Sequence, residues 1–389
     1  MTLALQPQQR VDFANTLRGI AALMVMFGHY CLIFWQYRDV AAGLANSTPL
    51  PESVVTPDYL LAINNFNPFS FGIFGVAIFF LISGFVIPFS FTNTNWRGFL
   101  IGRVFRIYPT YAAGLSISIT VMIISGLYYG KDYPYSLAVT FINYFPGARD
   151  VIWVPGIDGI IWTLDVEIKF YLVCAAGYSL LRAGKPSVFL IPLLLAIPAI
   201  LASPYVTPLL NSGKGQLYTF CASIQYLNFM FIGVAFHFLH KGFLRPQLFV
   251  TIIAALFLAM TVIMWRAVTV PFALMWTYAI ALLVFSAAFT FPHALKGRRI
   301  TDFFADISFP LYVVHGVLGY AVLRIIAGWG VPAWLCVLIA MLISTGVAAV
   351  IHYMVELPTH SLGKKLTKLF PITPHTPAAS SEQSRAAGD

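Results

Sequence analysis

Residues 71–91 read FGIFGVAIFFLISGFVIPFSF, twenty-one positions without a charged side chain. A helix needs about 20 mostly apolar residues to cross a hydrocarbon core of about 30 Å, and this run meets that length. The same test carried outward along the chain gives ten spans, at 18–36, 71–91, 109–129, 160–181, 187–203, 219–239, 247–265, 270–291, 307–327 and 331–355. Composition agrees. Of 389 residues, 59% are hydrophobic and 10% charged, which leaves too little polar surface for hydrated soluble domains. The expected fold is an all-α polytopic membrane protein of about ten transmembrane helices. No internal repeat is visible, so residues 1–357 read as one membrane domain. Residues 358–389 read as a cytoplasmic basic segment and, from Pro371, a disordered tail too poor in apolar surface to fold.

The net charge of +9 would suit nucleic acid, but the cations fall in short gaps between apolar runs and form no basic face with interleaved aromatics. Nucleic acid is excluded as a partner; membrane lipid is the solvent. An even number of spans puts both termini on one side. Sixteen Lys and Arg fall on that side, six on the other, and Lys169 within a span, which assigns both termini to the cytoplasm. The N-terminal MTLALQPQQRVDF has no signal-peptide pattern, so the first helix is expected to direct insertion into the cell (inner or plasma) membrane. Cys31, Cys174, Cys221 and Cys336 sit in apolar segments without metal-site spacing and read as packing residues. Two outer connections, 37–70 and 130–159, are rich in Pro, Asn, Tyr and Trp, and could shape a binding site or simply pack as loops.

An ionisable group in hydrocarbon costs several kcal/mol unless paired or wetted, so function is sought among the polar residues of the spans. In LRGIAALMVMFGHY, Arg18 and His29 are eleven residues apart. On a regular helix they share a face to within about 20° and lie about 16 Å apart along the axis. RGFLIGRVFRIYP follows the second span, with Arg103 and Arg106 on one face and Pro109 able to open the third helix. Forked guanidiniums suit phosphate oxygens, although positive-inside topology alone also explains the cluster. In WTLDVEIKFYL, Glu167 and Tyr171 share a face, while Asp165 and Lys169 have the spacing of an ion pair on a roughly opposite one. Glu167 is thereby left as the functional carboxylate. In ISFPLYVVHG, Ser308, Tyr312 and His315 form a stripe suited to core hydrogen bonding.

Counting about 1.5 Å per residue puts His29 about 16 Å, His315 about 12 Å and Glu167 about 20 Å from the cytoplasmic face, so the three can meet near the midplane. A basic mouth leading to a buried His and carboxylate fits group transfer from a phosphorylated carrier, with His as base or nucleophile. A secondary transporter with a midplane His/Glu proton relay fits the same residues.

From about residue 10 to about 357 the chain resembles the acyltransferase 3 family of membrane acyltransferases. The resemblance rests on the Arg18 to His29 spacing, the FFLISGF run with Ser83 and Gly84, the Arg103/Arg106 pair before IYP, Trp162, Glu167 and Tyr171 in WTLDVEIKFYL, and Tyr312 and His315 in ISFPLYVVHG. Thr163 stands where the family usually has Ser, Phe309 where it has Tyr, and VELP only partly matches its usual ending. The resemblance implies transfer of an acyl group, often acetyl, from acyl-CoA to a hydroxyl of a sugar, glycan, lipid-linked or secreted acceptor. It implies His29 and Glu167 as catalytic residues and Arg18, Arg103 and Arg106 as holders of the CoA phosphates. Ser83, Trp162, Tyr171, Tyr312 and His315 support them. No metal or permanently bound cofactor is implied; acyl-CoA, in the first instance acetyl-CoA, is a substrate. No fused esterase-like domain is recognised, so transfer finishes in the membrane domain or with a separate extracytoplasmic partner.

Overall fold

The computed structural model describes residues 9–64, 69–212, 214–267, 274–295 and 297–371, and every regular element among them is helical. Among the described residues, eight helices are long and apolar enough to cross a membrane. With two shorter ones placed in chain order they are α1 (Asp12–Gln36), α2 (Phe71–Thr92), α3 (Trp96–Tyr129), α4 (Ile161–Ala176), α5 (Pro186–Leu210), α6 (Gln216–His240), α7 (Pro246–Ala267), α8 (Met275–Thr290), α9 (Ser308–Gly328) and α10 (Ala333–Thr367). Each of the ten expected spans has a counterpart. The helix α4 stops after 16 residues and carries Asp165, Glu167 and Lys169, so length and charge both keep it out of the long apolar class. It breaks at Gly177 and continues as Tyr178–Arg182. The first residues of the eighth expected span, 270–273, and the tail from 372 lie outside the described residues.

Two boundaries differ from expectation, and two helices carry a π turn. Pro109 lies inside α3 instead of opening it, because Asn95 starts the helix earlier by accepting bonds from the N–H groups of Arg97 and Gly98 at 3.0 and 3.1 Å. A proline is tolerated there because neighbouring helices hold the shape. The basic segment after residue 357 continues α10 through a π-helical turn, His352–Glu356, closed by a 2.7 Å His352–Glu356 pair, and packs on the start of α3. A second π turn, Gly28–Ile33, interrupts α1. Such turns leave no mark in hydrophobic periodicity, and they recur at functional sites.

The helix α2 lies at the centre, against α1, α6 and α8. Its contacts depend on glycine. A Cβ on Gly84 would stand 1.9 Å from the Met230 carbonyl oxygen and 2.9 Å from Gly233 Cα, so the α2 and α6 backbones touch there. Leu194, Leu258, Leu283 and Leu342 are exposed on the outer helices, as a surface facing lipid requires.

The helix ends segregate into two faces. At one, Thr16 donates to the Leu295 carbonyl at 3.2 Å and Thr94 to that of Phe370 at 3.1 Å. At the other, Lys131 donates to the Ser47 carbonyl at 2.7 Å and Arg324 to that of Thr48 at 2.6 Å. The two ends of the described chain therefore lie on one face, the one that charge counting assigns to the cytoplasm. The four cysteines are free and buried, so a single exposed thiol can report sidedness. Lys365→Cys is expected to react with an impermeant maleimide only in inside-out vesicles; labelling in right-side-out vesicles would reverse the orientation.

Candidate active site

His29 is the second residue of the π turn in α1, and its Nδ1 lies 2.7 Å from the Tyr320 hydroxyl of α9. Its ring stands edge-to-face with that of His315, centroids 4.7 Å apart. His315 binds back to its own helix: Nδ1 is 2.8 Å from the Tyr312 carbonyl and 3.2 Å from that of Leu311. Carbonyls only accept, so Nδ1 carries the proton and neutral His315 keeps a lone pair on Nε2. That Nε2 is buried without a partner among the described residues. Tyr30 locks α1 to α9 and α10, donating to the His315 carbonyl at 2.8 Å with its oxygen 2.6 Å from Ser344. A Cβ on Gly319 would overlap the Tyr30 hydroxyl, which explains a glycine there.

His29 lines a cavity of about 380 Å³ toward the outer ends of the helices, together with Tyr37, Trp162, Tyr278 and Tyr312. A smaller cavity of about 90 Å³ lies on the inner side, lined by Arg18, Arg106, Glu167, Tyr171, Ser308 and again Tyr312. Val76 and Tyr312 are common to both walls and stand between them. Tyr312 is held by the Thr163 hydroxyl, which donates to it at 2.9 Å.

Of the three groups expected to meet, two do. His29 and His315 touch, whereas Glu167 lies in the inner cavity, accepting from Ser83 Oγ at 3.1 Å and from the Tyr171 hydroxyl. Equal depth does not fix lateral position, and the group on His29 Nδ1 is Tyr320, not Glu167. Arg18 has Arg106, Glu167, Tyr171 and Arg103 as its electrostatic neighbours. Two guanidiniums, Arg18 and Arg106, thus line the inner cavity with one carboxylate, Arg103 adds its charge from nearby, and the cavity favours an anion. Arg103 sits behind Tyr171, donating to Ser90 at 3.3 Å and stacking over the Phe99 and Tyr171 rings.

The expected Asp165–Lys169 pair does not form. Asp165 pairs with Arg149 and accepts from the Gly147 N–H at 2.6 Å, while Lys169 pairs with Asp150 and donates to Ser223 at 2.8 Å. The outer segment between α3 and α4 folds back and supplies both partners. Asp158 of the same segment caps α4, accepting from the N–H groups of Ile160 and Ile161 and from the Tyr111 hydroxyl. Burial pushes its carboxyl above the usual carboxylate range, against the pull of those three donors.

Tyr320 escaped the sequence reading because it lies about 140° around α9 from His315, off the Ser308–Tyr312–His315 stripe. A tyrosine in a membrane helix is too common to stand out alone. The match to known proteins covers the architecture and the residues just described. Residues 11–353 match the family described as acyltransferase domain, nearly the whole membrane portion. The chain belongs to the acyltransferase 3 family. Membership in an acyltransferase family favours acyl transfer over the transporter reading of its buried His and Glu. Nodulation protein 10 of Rhizobium leguminosarum bv. viciae is 29% identical over 132 residues, 28% of this chain and 34% of that relative. The chain thus spans about a third of the length of that curated relative. No solved structure matches it.

Proposed function

We propose that the protein takes an acyl group, acetyl in the simplest case, from a cytoplasmic acyl-CoA and transfers it to a hydroxyl of a sugar, glycan, lipid-linked or secreted acceptor. One observation supports this reading above others: a cation-rich inner cavity and a histidine-bearing outer cavity share Val76 and Tyr312 as their wall. Arg18, Arg103 and Arg106 hold the CoA phosphates, and the pantetheine arm passes Tyr312 when that ring turns aside. The thioester then reaches His29. With Nδ1–H donated to the Tyr320 oxygen, Nε2 has the lone pair that takes the proton from the acceptor hydroxyl. The oxygen attacks the thioester carbonyl, the C–S bond breaks, and the departing thiolate takes the proton back from His29. The products are an ester and free CoA. Glu167 acts on the donor side, fixing Tyr171 and Arg18 around the entering chain.

No resident cofactor enters this scheme, and membrane lipid surrounds it. A separate extracytoplasmic partner is needed only where the final acceptor cannot enter the outer cavity. The reading is tested by acetyl-CoA turnover of purified protein, followed as free CoA thiol; no thiol above background would refute the donor. Arg103→Ala or Arg106→Ala is expected to weaken CoA binding about tenfold and flatten its salt dependence at matched membrane abundance. Unchanged affinity in both variants would leave those residues a topological role only.

A further inference from the structure

A third cavity, about 660 Å³, opens at the outer end between residues 149–156, α4 and the start of α6. Trp153, Trp162, Tyr218 and Tyr226 line it, alongside the paired charges of Arg149, Asp150 and Asp165. From this combination we infer that it is a binding site for a neutral sugar ring, seating the acceptor beside His29. The inference rests on the acyl-transfer reading only in naming that sugar as the acceptor.

Chemistry narrows the ligand. Lipid chains are excluded by the charges in the wall, the Arg149–Asp165 pair and Asp150, which is itself paired with Lys169 outside the lining. Those pairs hold two cations and two carboxylates, so the site offers no net charge to a phosphate or an acidic sugar. Asp150 Oδ1 and Arg149 Nε are buried without hydrogen-bond partners among the described residues, one acceptor and one donor in excess. Buried polar groups left unmatched are uncommon and call for a partner. A sugar ring supplies both halves: hydroxyls that donate and accept, and a face of C–H groups that packs on aromatic rings.

Trp153 is set for that contact by two independent features. Its φ is +58°, a left-handed conformation uncommon outside glycine, and such conformations gather at ligand sites. Its indole packs directly against Gly215, where a Cβ would come within 2.0 Å of the ring. Trp162 lines this cavity and the His29 cavity alike, and Tyr226 packs on it at 5.3 Å. A ring seated on Trp153 is therefore one indole away from the cavity that contains His29.

The test uses full-length protein in lipid nanodiscs, because glycoside detergents would compete. Saturation-transfer NMR is recorded with methyl β-glucopyranoside, methyl β-galactopyranoside and methyl α-mannopyranoside, with linear sorbitol and glucuronate as controls. Ring C–H protons of at least one glycoside are expected to receive saturation, with little on either control. Trp153→Ala should reduce that signal at least about fivefold and Trp153→Phe should keep most of it, as expected for aromatic packing. Gly215→Ala, which keeps every side chain of the site and has an ordinary backbone φ, should displace the indole and lower the signal too, and it decides the matter if Trp153→Ala does not fold. No glycoside signal in the parent, or equal signals in the parent and the folded variants, would overturn the site. CoA thiol release from acetyl-CoA is measured on the same samples. Sugar signal without thiol release defeats the donor reading and leaves the site; thiol release without sugar signal does the reverse.

Discussion

His29→Gln is expected to lower acyl transfer by a factor of about 10² to 10⁴, the usual loss when a general base is removed, while insertion and acyl-CoA binding persist. Glutamine is the informative replacement because an amide can both donate and accept, so it can keep the 2.7 Å contact to Tyr320. What it cannot do is take a proton near neutral pH. If His29 were a structural link between α1 and α9, glutamine would restore most of what alanine removes. Turnover of the Gln variant near the parent's, at matched membrane abundance, would end the catalytic assignment. Tyr320→Phe extends the test: it leaves His29 able to titrate but frees its tautomer, so kcat should fall by a smaller factor with acyl-CoA affinity unchanged. Equal losses in Tyr320→Phe and His29→Gln would mean that position, not proton transfer, is what the histidine supplies.

The parts of this structure legible in the sequence are those that lipid imposes locally. A span of 21 uncharged residues at 71–91 has one interpretation, and Arg103 and Arg106 share a face because they sit three apart on any helix. The parts that were not legible depend on distant chain returning. Asp165 and Lys169 have ideal i,i+4 spacing and still choose Arg149 and Asp150, since a segment sixteen to nineteen residues away brings charges into closer geometry. The π turn at Gly28–Ile33 fixes where His29 points, yet it changes no hydrophobic pattern. Depth counting placed His29, His315 and Glu167 at similar levels and could not see that Tyr312 and Val76 stand between two cavities. The candidate residues can be named from the sequence, but their partners are assigned only in three dimensions.

Those reassigned partners make the second large expectation. Asp165→Ala leaves Arg149 as a buried cation, its side chain only 10% exposed, with the Val154 carbonyl at 2.7 Å as the remaining acceptor. Breaking a buried pair from one side typically costs about 3–5 kcal/mol, far more than the pair itself contributes. The Gly147 N–H loses its acceptor as well, so the 145–158 segment should loosen together with the start of α4. A markedly lower melting temperature in nanodiscs is therefore expected for Asp165→Ala. Asp165→Asn keeps an acceptor for Gly147 and should fall between. The decisive variant is the double replacement Arg149→Met with Asp165→Leu, which removes both charges and fills similar volume; it should recover most of the lost stability. If Asp165→Ala melts with the parent, or if the double variant is no more stable than the single one, the Arg149 pairing does not hold the segment. The recovered double variant has a further use: its segment is folded but its wall lacks one ion pair, so loss of the glycoside signal there would place sugar recognition in the charges as well as in Trp153.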